Sequence, residues 1–90
     1  KLFFKDICYV KSEGNYLEII LADKRYVIRS KLLDFNVELP ETIFYKCHRR
    51  YIINITIIYA LGKDFIQLEK EKIPLSNKYK IALEKALSIK

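Results

Sequence analysis

The clearest chemistry in this sequence belongs to cations that are grouped away from acids. Residues 42–63 contain no aspartate or glutamate. The basic residues of this stretch are Lys46, His48, Arg49, Arg50 and Lys63. Adjacent arginines with no carboxylate nearby in the sequence pair with a remote acid or bind phosphate, because a guanidinium fits either group. We therefore predict that Lys46, Arg49 and Arg50 face a polyanion, although a solvated basic surface explains the same composition.

A second acid-free stretch, 72–83, spans the expected start of a helix. Ser76 is a candidate N-cap, and Asn77, Lys78 and Lys80 follow it. The free N–H groups and the dipole of a helix N-terminus attract anions. Asparagine and lysine side chains also contact base edges or phosphates. An ordinary capped helix with solvated lysines explains these residues equally well, so both interpretations stand at this point.

The polar segment 11–16 is a third candidate. It contains Gly14, which suits a tight turn, and it projects Asn15 and Tyr16 from the end of a strand. A plain hairpin turn accounts for the same composition.

Catalytic and metal-binding patterns are weak. Cys47 precedes His48, but neighbours on a strand point to opposite faces and do not form a nucleophilic pair. The cations around Cys47 favour its thiolate, which makes it a candidate redox-sensitive thiol, with an inert buried cysteine as the alternative. One histidine, two cysteines and two glycines, without CxxC spacing, predict no metal site, no cofactor and no glycine-rich phosphate loop. We expect no enzyme.

Length, composition and charge limit the number of domains, the class of partner and the cellular setting. Ninety residues with 51% hydrophobic composition predict one small folded domain, residues 1–90. The net charge of +6 favours an anionic partner such as nucleic acid. The sequence contains no methionine, which we interpret as a sign of a fragment of a longer protein. Two separated cysteines suit a reducing cytoplasm, and no segment is apolar enough to span a membrane.

Alternation and turn residues predict short antiparallel strands, because the connections are too short for parallel crossovers. The expected strands are 6–10, 16–21, 26–29, 43–47, 57–61 and 65–68. Ser30 is a candidate N-cap for a short helix over 31–37, and a second helix follows Ser76 with an apolar stripe. The stripe comprises Tyr79, Ala82, Leu83, Ala86 and Leu87. Residues 51–54 are either strand or irregular turn.

Four segments closely resemble motifs of the LytTR family of bacterial DNA-binding domains. They are ICYVKSEGNY at 7–16, YVIRSKL at 26–32, FYKCHRRYIIN at 44–54 and IPLSNKY at 73–79. They occur in the family's order and together span nearly the whole chain. The resemblance implies a mainly β fold, a small antiparallel multi-sheet domain with one short middle helix and one C-terminal helix.

The family resemblance also implies a function. Such domains are usually the output half of a two-component response regulator that controls transcription. They bind double-stranded promoter DNA through loops that enter successive major grooves and the minor groove between them. We therefore expect a receiver or sensor domain N-terminal to this segment in the full-length chain, and pairs of protomers on repeated DNA sites.

By position, the family's DNA contacts fall on Tyr16 with Asn15 beside it, on Arg49, and on Asn77 or Lys78. The basic clusters add Lys46, Arg50 and Lys80 to the expected DNA-binding residues. Arg50 replaces the family's usual serine, and Asn77 stands where arginine is common, so Lys78 is the alternative base-reading residue. His48 and Asn54 are expected to structure the loop, with DNA contact by His48 as the alternative.

Two other functions fit the composition. One is a protein-interaction or regulatory module that docks a partner through exposed aromatic residues. The other is single-stranded nucleic-acid binding on a small β-barrel, with tyrosines stacking on bases.

Overall fold

The computed structural model describes residues 2–88. Within this range the chain forms eight strands and two α-helices. The strands are β1 Ile7–Glu13, β2 Tyr16–Leu21, β3 Arg25–Arg29, β4 Phe44–His48, β5 Tyr51–Asn54, β6 Ala60–Leu61, β7 Phe65–Gln67 and β8 Lys72–Pro74. The helices are α1 Leu32–Asn36 and α2 Asn77–Ser88, and 3-10 turns lie at Phe4–Asp6 and Ile55–Ile57. The expected mainly β fold with one middle and one C-terminal helix is confirmed.

Five strands form an antiparallel sheet in the order β3-β2-β1-β5-β4. Glu13 pairs with Tyr16 across the β1–β2 turn, and Lys11 pairs with Tyr51 at the start of β5. The β1–β2 and β4–β5 turns therefore lie at the same end of the sheet, which we call the Gly14 end. The other end, called the Asn54 end, holds the start of β1, the β2–β3 turn and the end of β5.

The sheet has a core on each face, because successive strand residues point in opposite directions. Val10 belongs to a cluster that includes Leu32 of α1, whereas its neighbour Tyr9 belongs to a cluster that includes Leu83 of α2. The smaller antiparallel sheet, ordered β6-β7-β8, contributes to this second cluster. The five-stranded sheet thus lies between α1 on one face and the smaller sheet with α2 on the other.

The start of α2 is fixed to the end of β4. The Ser76 N–H donates a hydrogen bond to the Cys47 carbonyl at 2.9 Å. Leu83 of α2 is fully buried against the sheet. Ala82 was predicted to lie on the same apolar stripe of the helix, but it is exposed. Because β4 ends at the Gly14 end, α2 begins at that end too.

Some boundaries differ from the sequence predictions. β1 continues to Glu13 rather than ending at 10, because its polar half pairs with β2. Residues 51–54, undecided from sequence, form β5 inside the large sheet. The strand expected over 57–61 is reduced to Ala60–Leu61, since a 3-10 turn occupies Ile55–Ile57. The N-cap of α1 is Lys31, without a side-chain cap bond, and not Ser30.

Candidate nucleic-acid interface

The strand register brings the three predicted binding segments to one end of the sheet. Across the Gly14 end, the strand order places the β1–β2 turn first and the Arg49–Arg50 turn next. The start of α2 follows, beside β4. Segments more than 60 residues apart in the chain therefore form one continuous surface.

The β1–β2 turn has a defined geometry. Gly14 has a φ of 60°, and no other described residue has a positive φ. A positive φ at only the first of two central turn residues is the pattern of a type II′ turn, which favours glycine there. The Ser30 N–H donates to the Asn15 carbonyl at 3.2 Å, which ties the turn to the end of β3. Asn15 and Tyr16 are both exposed.

The β4–β5 turn is held by the histidine ring. The Arg50 backbone N–H donates to Nδ1 of His48 at 3.1 Å, so the neutral ring carries its proton on Nε2. The ring also meets Tyr51 edge-on at 5.7 Å between centroids. Partial burial, then the charges of Arg49 and Arg50, lower the pKa of His48. The Arg49 side chain is exposed and forms no ion pair or hydrogen bond with residues 2–88.

Arg50 is directed differently from Arg49. Its Nε donates to the Ser12 carbonyl at 3.0 Å, and its Nη2 lies 3.4 Å from Oε1 of Glu13. The Ser12 N–H in turn donates to the Arg50 carbonyl at 2.8 Å. Arg50 therefore connects the two turns, a role that sequence proximity did not indicate.

Lysines surround the start of α2. The Nζ atoms of Lys46 and Lys78 lie 5.8 and 5.5 Å from the centre of the Tyr79 ring, within cation–π range. Lys80 donates to the Lys63 carbonyl at 3.3 Å, so its ammonium is partly engaged. Asn77 and Lys78 are exposed. The structure thus brings Lys46 from β4 together with Lys78 from α2.

Two cations at this end were missed from the sequence. Arg29 pairs with Tyr16 at the end of β3, and Lys31 follows two residues later; both are exposed. Counting strand residues back from the β2–β3 turn would have placed Arg29 opposite Tyr16. The two additional charges extend the basic surface past the β1–β2 turn.

A family model for the LytTr DNA-binding domain matches residues 1–88. The chain belongs to the LytTR family. The family is one of DNA-binding domains rather than of enzymes. The solved structure of a LytTr DNA-binding domain from Bacillus cereus superposes on this chain with a TM-score of 0.85. The two sequences are 22% identical, and the match covers 98% of this chain and 86% of the other.

Two curated relatives are longer than this LytTR domain. "Sensory transduction protein LytT" of Bacillus subtilis is 29% identical over 94% of this chain. "Heme-containing CO-sensing transcriptional regulator RcoM 2" of Paraburkholderia xenovorans is 25% identical, also over 94% of this chain. The chain spans 38% and 34% of the lengths of these relatives.

At the Asn54 end, the LytTR domain uses Asn54 as an internal support. Asn54 is 1% exposed, and its Nδ2 donates to the Ile7 carbonyl at 2.9 Å. Its Oδ1 accepts bonds from the backbone N–H and the hydroxyl of Thr56 at 2.9 and 2.7 Å. These bonds join β1 to the 3-10 turn after β5, and they lie away from the basic surface.

The expectation of a redox-sensitive thiol at Cys47 is corrected by its burial. Cys47 is 0% exposed and packs in the cluster between the two sheets. Burial raises its pKa to about 12, which disfavours the thiolate that oxidants attack. The alternation of β4 turns Cys47 into the core, away from the cationic groups that its sequence neighbours carry.

Residues 2–88 hold no cluster of three or more histidine, cysteine or acidic side chains arranged to bind a metal. No helix within the same range is long and apolar enough to cross a membrane. An open groove of about 580 Å³ lies at the Asn54 end, between the β2–β3 turn and the loop before β8. Glu71 lines it and accepts a hydrogen bond from the Tyr9 hydroxyl at 3.1 Å.

Proposed function

We propose that the Gly14 end of this LytTR domain is its contact surface for double-stranded DNA, and that contact there is sequence-specific. The observation that carries the proposal is the strand register. It collects the β1–β2 turn, the Arg49–Arg50 turn and the start of α2 on one exposed, cation-rich end. Attraction between protein cations and DNA phosphates supplies a large share of the affinity for any duplex. A DNA-binding surface therefore needs exposed cations such as these.

The three elements suit different contacts. The β1–β2 turn, with Asn15 and Tyr16, and the start of α2, with Asn77 and Lys78, are the two outer elements of the surface. We assign them to base edges in successive major grooves. Arg49 lies between them and carries an exposed guanidinium, so we assign it to the backbone or the intervening minor groove. Lys46 and Lys80 contribute phosphate contacts beside the helix.

The wider setting follows from the relatives and is part of the proposal. One is named a sensory transduction protein and another a transcriptional regulator, and both are more than twice as long as this chain. We infer that residues 1–90 are the output domain of a bacterial transcriptional regulator in the cytoplasm. A receiver or sensor domain would precede it, and two protomers would occupy repeated DNA sites. The proposed role requires no catalysis and no cofactor.

Equilibrium titration with labelled duplex DNA tests the proposal. Duplexes selected from a random pool should bind more tightly than the same strands unpaired. If about six phosphates are neutralised, log K should fall with log salt at a slope of about −5. Preference for the unpaired strand would support the single-stranded alternative. Absence of binding to either form at moderate salt would support a protein-interaction module.

A matched pair of variants locates the surface. Arg49→Ala should weaken binding to every duplex by roughly tenfold and reduce the salt slope by about 1. Arg25→Ala removes the same side chain from the start of β3, at the Asn54 end, and should leave affinity nearly unchanged. Equal losses in the two variants would contradict the assignment of DNA to the Gly14 end.

A further inference from the structure

An acidic residue lies within the basic surface. Glu13 ends β1 directly before the Gly14 turn, and its side chain is 60% exposed. Its Oε1 lies 3.4 Å from Nη2 of Arg50 and 3.6 Å from Nζ of Lys11. A carboxylate at this position opposes the attraction of the surrounding cations for phosphate, so its presence at a DNA-binding surface needs an explanation.

The geometry around Arg50 supplies one. The guanidinium donates a hydrogen bond from Nε to the Ser12 carbonyl, and its Nη2 forms an ion pair with the Glu13 carboxylate of the same hairpin. A guanidinium presents its donors in a planar fork that fits either a carboxylate or a phosphate. Glu13 therefore pairs with a nitrogen of Arg50 that could instead donate to a DNA phosphate.

The ion pair between Glu13 and Arg50 is weak enough for a phosphate to replace the carboxylate. Both side chains are substantially exposed, Arg50 at 45% and Glu13 at 60%, and exposed ion pairs contribute little because water and salt screen them. The bond from Nε to the Ser12 carbonyl does not depend on Glu13, so Arg50 stays anchored when Nη2 changes its partner. The arrangement permits substitution of a carboxylate by a phosphate without movement of the turn.

We propose that Glu13 is a positioning residue that stands in for phosphate, pairing with Nη2 of Arg50 in the free domain until a duplex phosphate competes for that nitrogen. Glu13 then sets how strongly the central turn is attracted to the DNA backbone of any sequence. This inference rests on the proposed function, because it assumes that duplex DNA reaches the Gly14 end.

The test measures the affinity of Glu13→Gln for a random-sequence duplex at several salt concentrations. Freed from its carboxylate, Arg50 should bind phosphate more readily, so affinity should rise about three- to fivefold. The salt slope should steepen by about 1, as expected for one additional neutralised phosphate. A mere loss of local structure would not produce a tighter, more salt-sensitive complex.

Glu18→Gln is the matched control. Glu18 also pairs with an arginine, Arg25, at 3.0 Å, but that arginine lies at the Asn54 end. This variant adds the same net charge in a different place and should change affinity much less. An equal gain from both variants would show that net charge alone is responsible and would overturn the role of Glu13.

A double-mutant cycle tests the route through Arg50. In an Arg50→Ala background, Glu13→Gln should no longer raise affinity or steepen the slope. Arg50→Gln, which retains hydrogen-bonding capacity, repeats the cycle if Arg50→Ala lowers the melting temperature. A full gain in these backgrounds, or no gain in the wild-type background, overturns the inference. If the wild-type domain binds no duplex, the proposed function itself fails, which is a distinct outcome.

Discussion

The two ends of the five-stranded sheet differ in how their polar groups are used. At the Gly14 end, Arg49, Asn15 and Lys78 are exposed, and the turns are held by surface hydrogen bonds. At the Asn54 end, one buried asparagine makes three internal bonds, and Glu71 accepts a bond from Tyr9. There, burial and the neighbouring Glu71 carboxylate raise the pKa of Tyr9.

This difference indicates a division of labour within one small sheet. Removing one partner of a buried hydrogen bond destabilises a fold strongly, because the group left behind is buried and unsatisfied. Exposed cations contribute little to folding but remain available for a ligand. Substitutions at the Asn54 end should therefore change stability more than DNA affinity, and substitutions at the Gly14 end should do the reverse.

The largest expected effect is on stability at the Asn54 end. Asn54→Ala leaves the buried Ile7 carbonyl without its donor and should reduce the free energy of unfolding by about 2–3 kcal/mol. Chemical denaturation measures this loss. The same substitution at the exposed Asn15 should cost less than about 0.5 kcal/mol. If the two variants unfold alike, the proposed division between the ends is wrong.

The next effect is on base discrimination at the Gly14 end. Lys78→Ala should reduce the preference for a selected duplex by about 1–2 kcal/mol at one base pair, with little change in unfolding. Tyr16→Ala and Asn77→Ala should act similarly at other positions. Competition with single-base variants of the duplex measures the change. A uniform loss over all duplexes would instead make Lys78 a phosphate contact.

A smaller effect on stability is expected at the β1–β2 turn. An added Cβ at Gly14 would meet no atom within 4 Å, so Gly14→Ala is opposed only by the positive φ. We expect a loss of about 1 kcal/mol in unfolding free energy. Thermal melting of the variant checks this value. An unchanged melting temperature would mean that the turn adopts another conformation at no cost.

The smallest effect is on pH dependence at the β4–β5 turn. The pKa of His48 is lower in the folded domain than the unfolded value of about 6.5. Its contribution to stability is therefore fully present above that pH and is lost as pH falls through the folded pKa. Protonation also removes the acceptor for the Arg50 N–H. In the His48→Asn variant, Oδ1 can replace Nδ1 as the acceptor. The melting temperature of this variant should change less between pH 7.5 and 5.5 than that of the wild-type domain. An identical dependence in both proteins would exclude His48 as its source.

Local patterns predicted most of the elements, because alternation and turn residues act over a few positions. The strand over 16–21 and the C-terminal helix are examples. Residues 51–54 remained open because their environment is set by pairing with β1, 40 or more residues away. The 3-10 turn at Ile55–Ile57 depends on the buried bonds of Asn54, which the apolar run over 57–61 does not indicate.

In the candidate site, too, local sequence patterns did not reveal what long-range pairing brings together. Motif segments could be identified in the chain, but their order on one end of the sheet follows from the register. Arg49 and Arg50 are adjacent and of the same residue type, yet the structure leaves the Arg49 guanidinium without a hydrogen bond to residues 2–88 and bonds Arg50 to the hairpin. Cys47 has cationic neighbours in sequence and apolar neighbours in space. In each case the long-range pairing decides the chemistry.

The width of the Gly14 end has a mechanical consequence for a bound duplex. Adjacent strands are about 4.8 Å apart, so the three spacings from β2 to β4 amount to about 14 Å. The start of α2 is hydrogen-bonded to the end of β4, so it adds only a little to this separation. The longest dimension of the domain is 32 Å. One turn of B-form DNA is about 34 Å long. Because this separation is shorter than one helical turn, curvature of the duplex toward the protein would help both outer elements reach successive major grooves. The elastic cost of that curvature depends on the base steps being bent, so base pairs that no side chain touches would contribute to site preference.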